Sequence, residues 1–129
     1  MRRLPVVTLA LATLAVALAG CGGSTRSNAA TATTFSVDTQ VIDGFRTMVD
    51  TANRAAAGLG QETASAHDCA AAWVTIEGRV TEREPALAAD VDSAVNALQR
   101  GTAARDAVAV ATASATIARD AARYTRLYP

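Results

Sequence analysis

Residues 69–91 read Cys69-Ala70-Ala71-Ala72-Trp73-Val74-Thr75-Ile76-Glu77-Gly78-Arg79-Val80-Thr81-Glu82-Arg83-Glu84-Pro85-Ala86-Leu87-Ala88-Ala89-Asp90-Val91. Cys69, Trp73, Ile76 and Val80 fall at steps of four, three and four, which places them on one face of a helix. Ala66 extends that stripe backward, so a helix is expected over 61–83. Pro85 then disfavours helical geometry at Glu84 but suits the first turn of a new helix. Leu87, Val91, Ala94 and Leu98 carry a second apolar stripe, expected over 85–99. Two amphipathic helices joined by a tight turn therefore sit at the centre of the chain.

The same periodicity extends in both directions. Upstream, Val41, Phe45, Met48, Ala52, Ala55 and Leu59 define a helix over 37–59, ended by Gly58 and Gly60. Asp43, Arg46, Asp50 and Arg54 lie on another of its faces at pairing distance, the pattern of a solvated charge ladder. Downstream, Gly101 reads as a helix stop and Thr102 as an N-cap. Ala103, Ala107, Val110, Ser114, Ile117, Ala121 and Tyr124 form a stripe of mostly small residues in a helix reaching about residue 127. Arg119, Arg123 and Arg126 gather in its last turns, where the helix dipole favours cations. Four amphipathic segments with short connections predict an all-α fold, a small up-down four-helix bundle. A three-helix bundle, continuous through Pro85, is the alternative.

Composition supports this class. Ala is abundant, aromatic residues make up 4% of the 129-residue chain, and every basic residue is Arg. Ala is the best helix former but buries little area, so the core should be thin and the helices close.

The first 34 residues have a different character. Arg2 and Arg3 precede an apolar run over 4–18, and Ala19-Gly20 supplies small residues before Cys21, the layout of a secretory signal. The run is shorter than the roughly 20 residues needed to span a bilayer. Leu18-Ala19-Gly20-Cys21 resembles the lipobox of bacterial lipoproteins. That resemblance implies removal of residues 1–20, lipidation of the Cys21 thiol, and anchoring at the extracytoplasmic face of the cell membrane. A diacylglyceryl group supplies the two chains that stable anchoring requires. Residues 21–34 are small and polar and read as a flexible tether reaching roughly 20 Å. Residues 35–129 would form the helical domain. Losing Arg2 and Arg3 from the 12 basic residues leaves the 12 Asp and Glu in slight excess. That is no field for nucleic acid.

No motif for catalysis stands out. His67 is the only histidine. Cys69 lies two positions away, and residues two apart on a helix do not face each other. Once Cys21 is lipidated, Cys69 is the only free thiol, and its stripe points it into the core. No carboxylate stands three or four residues from His67, and Glu77 is about 15 Å along the axis. Gly-rich phosphate loops and paired zinc cysteines are lacking. The expectation is a non-enzymatic, lipid-anchored helical module that binds a partner or serves a membrane-protein complex.

A second resemblance covers roughly residues 69–100. Trp73, Ile76-Glu77-Gly78, Arg83-Glu84-Pro85 and Asp90-Val91-Asp92 resemble the extracytoplasmic helical domains of bacterial iron-uptake systems, both EfeO-like lipoproteins and domains attached to iron permeases. It implies an alternative role in iron handling, with iron as the ligand and Glu77 as a carboxylate near the metal. Leu87-Ala88-Ala89 departs from that pattern, which often has an aromatic residue there, and the histidine-and-glutamate motif of imelysin domains is missing.

Overall fold

A computed structural model describes residues 29–129, with side chains from Thr39 onward. The expected signal peptide 1–20, Cys21 and the tether up to residue 28 lie outside the described residues. Four helices follow in order: α1 Ala29–Ala57, α2 Glu62–Arg83, α3 Pro85–Ala104 and α4 Ala107–Leu127. α1 packs on α2 and α4, and α3 packs on the same two, so sequential helices are neighbours and the ring closes between α4 and α1. This is the up-down-up-down four-helix bundle. The α1–α2 and α3–α4 connections share one end. The α2–α3 turn and the end of α4 share the other.

The three-helix alternative is excluded at Glu84. Its backbone, at φ −137° and ψ 69°, leaves the helical region, and Pro85 takes the first position of α3. The missing Pro N–H costs nothing there, because a first-turn donor has no helical partner anyway.

Three expected boundaries are corrected. α1 begins at Ala29 rather than residue 37, so it takes in 29–34, the last part of the expected tether. No Gly or Pro interrupts 29–36, and Ala favours helix. Gly101 does not stop α3. It is buried inside the helix, where a Cβ would stand 3.0 Å from Val110 Cγ2 and 3.1 Å from the Val110 backbone nitrogen. Its role is the close approach of α3 and α4. Thr102 is not an N-cap. It is buried in α3, with its hydroxyl donating to the Gln99 carbonyl at 2.9 Å. The cap of α4 is Asp106, whose Oδ1 accepts from the backbone N–H of Val108 at 3.1 Å and Ala109 at 3.0 Å.

The expected stripes otherwise form the core. Val41, Phe45, Met48, Ala52 and Ala55 are buried with Ala66, Cys69, Trp73, Ile76 and Val80. Leu87, Val91, Ala94, Leu98, Val110, Ile117, Ala121 and Tyr124 join them, and Ala88, Val95 and Ala113, outside the expected stripes, are buried as well. Ser114 is also buried and donates to Asn53 Oδ1 across the α1–α4 interface at 3.0 Å. Leu59, Ala103 and Ala107, counted in the stripes, are exposed instead. They lie at or beyond the helix ends, where the face no longer meets a neighbour.

Phe45 is the middle ring of the core. Its centroid lies 6.4 Å from that of Trp73 and 5.2 Å from that of Tyr124. Tyr124 in turn lies 4.7 Å from Tyr128, whose hydroxyl donates to Glu84 Oε1 at 3.0 Å. The guanidinium of Arg83 sits 5.1 Å above the Tyr128 ring, a cation–π contact. The end of the chain is thereby fastened to the α2–α3 turn.

Two glycines on neighbouring helices separate packing from propensity. A Cβ on Gly44 would come within 2.5 Å of Ile76 Cγ2, while a Cβ on Gly78 would meet nothing within 4 Å. Gly44→Ala is expected to destabilise by roughly 1–3 kcal/mol through overpacking. Gly78→Ala is expected to stabilise by about 0.5–1 kcal/mol through helix propensity. Urea unfolding of both variants checks the opposite signs.

Candidate functional site

The candidate residues named from sequence do not come together. Glu77 is exposed on α2, as are Arg79 and His67. Cys69 is fully buried, with its Sγ 3.6 Å from the Met48 carbonyl oxygen. His67 and Cys69 thus occupy different environments. Asp92 accepts from Asn96 Nδ2 at 3.1 Å, and Asp90 Oδ2 lies 3.9 Å from Arg123 Nη1. Among the described residues no three His, Cys, Asp or Glu side chains stand close enough to hold a metal ion. Among those residues, too, no helix is long and apolar enough to cross a membrane.

Asp120 was not singled out from sequence. It is buried on α4 at 1% exposure, and both carboxylate oxygens accept from the Arg119 guanidinium at 3.0 and 3.3 Å. That hydrogen bond, with the adjacent charge, holds the proton on Arg119 more tightly than usual. Arg119 is largely exposed, so the pair covers the carboxylate from the solvent side. Burying a carboxylate is costly unless it is paired, and the neighbouring Arg supplies the partner.

Among the described residues, a concavity lies at the end holding the α1–α2 and α3–α4 connections. It is a cleft of about 410 Å³ lined by Ala55, Ala56, Gly58, Glu62, Thr63, Thr102, Arg105, Ala107 and Val110. The local chain explains its shape. Gly58 and Gly60 take positive φ, 68° and 79°, turning the chain between α1 and α2. Glu62 Oε1 accepts from the Gly60 N–H at 3.2 Å across that turn. Arg105 ends α3 at φ 55°, and its N–H donates to the Thr102 carbonyl. This left-handed position is one that Gly usually fills. A smaller groove of about 280 Å³ adjoins it between α2 and α3, sharing Thr63 and Thr102 and adding His67 and Gln99. In sequence the cleft shows only as the Gly58-Leu59-Gly60 break, because its walls come from all four helices.

Compared with protein-family models, curated proteins and solved structures, the chain matches none.

Burial pushes the Cys69 thiol pKa above its ordinary value, a shift that a hydrogen bond with Thr51 partly opposes. The unfolded chain therefore releases this proton at a lower pH than the folded one. Stability from this group is complete below the ordinary thiol range, about 8.5, and falls as pH rises through it toward the folded value. Tyr128 contributes with the same sign at higher pH, since partial burial and its bond to Glu84 raise its pKa too. Urea midpoints should decline through the alkaline range, with a shallower decline in Cys69→Ala. Iodoacetamide should spare Cys69 in the folded chain and alkylate it in urea. Alkylation of the folded chain at a comparable rate would contradict the buried placement.

Proposed function

We propose that this protein is a lipid-anchored bacterial lipoprotein. Its helical bundle acts without catalysis, as a binding or accessory module at the outer face of the cell membrane. The observation that carries the reading is the order of parts at the start of the chain: Arg2-Arg3, the apolar run, Ala19-Gly20 and Cys21. The bundle fits it as a small folded unit joined in sequence to an anchoring cysteine. α1 alone, with 29 residues, is about 43 Å long. Ala29 and the cleft, which is lined by Ala55, Ala56 and Gly58 from the far end of α1, are thus separated by nearly the length of the bundle.

Expression of the full chain in a bacterial host with labelled palmitate tests the anchor. Label is expected on the protein, and mass spectrometry of its first residue should find Cys21 bearing a diacylglyceryl group. Cys21→Ala should lose the label. Continued labelling of that variant, or a mature chain retaining residues 1–20, would overturn the assignment. Cross-linking in intact membranes should join the bundle to a second protein. Recovery of the free monomer alone would count against an accessory role.

A further inference from the structure

We draw no further inference here: the strongest candidate, the loop-end cleft with Glu62 and Arg105 in its wall, carries nothing because Glu62 already accepts from the Gly60 N–H and nothing in the structure shows what covers the cleft.

Discussion

The aromatic sequence Trp73–Phe45–Tyr124–Tyr128 is the constraint around which this bundle is organised. Phe45 of α1 touches a ring from α2 and a ring from α4, and Tyr124 passes the contact to Tyr128. Tyr128 returns it to Glu84 at the α2–α3 turn. Helices that do not follow one another in the chain are thereby fixed relative to each other. In a chain where Ala fills so many core positions, these rings supply a large share of the buried apolar surface. The arrangement has a cost. The indole N–H of Trp73 and the hydroxyl of Tyr124 are buried without a hydrogen-bond partner among the described residues. Each such group costs about 1–3 kcal/mol.

Alanine shapes the rest of the packing by letting helices approach. The tight contacts at Gly44 against Ile76 and Gly101 against Val110 show how close α1–α2 and α3–α4 come. Two buried threonine hydroxyls answer to their own helix. Thr51 donates to the Thr47 and Met48 carbonyls at 2.7 and 3.0 Å, and Thr102 donates to Gln99 in the same way. Such local bonds satisfy a polar group without asking a neighbouring helix for a partner.

Periodicity made the middle of each helix legible and left the ends obscure. The stripe through Cys69, Trp73, Ile76 and Val80 is buried throughout, and the break at Pro85 falls where its ring chemistry requires. Gly101-Thr102 misled because a glycine before a threonine has two uses. It ends one helix and caps another, or it lets two helices touch. Only the position of Val110 across the interface decides between them. Asp120 and the loop-end cleft were hidden for a related reason. A buried acid on a polar-looking helix, and a cavity walled by four separate segments, are properties of assembly rather than of any local window. The unusual backbone of Arg105 likewise leaves no trace in residue type, since Gly or Asn is the usual signal for that conformation.

The two ends of the bundle differ in how much they are asked to hold. At one end Tyr128, Glu84 and Arg83 tie the last helix to the α2–α3 turn, and a substitution there disturbs contacts shared by several helices. At the other, two positive-φ glycines and a left-handed Arg105 make the connections. The side chains above them are exposed, and their loss removes little packing. Surface positions of this kind tolerate change at small cost in stability. A helical module with a thin core has few places where a side chain can change without weakening the whole. The loop end is the place where substitution and the retention of the fold conflict least.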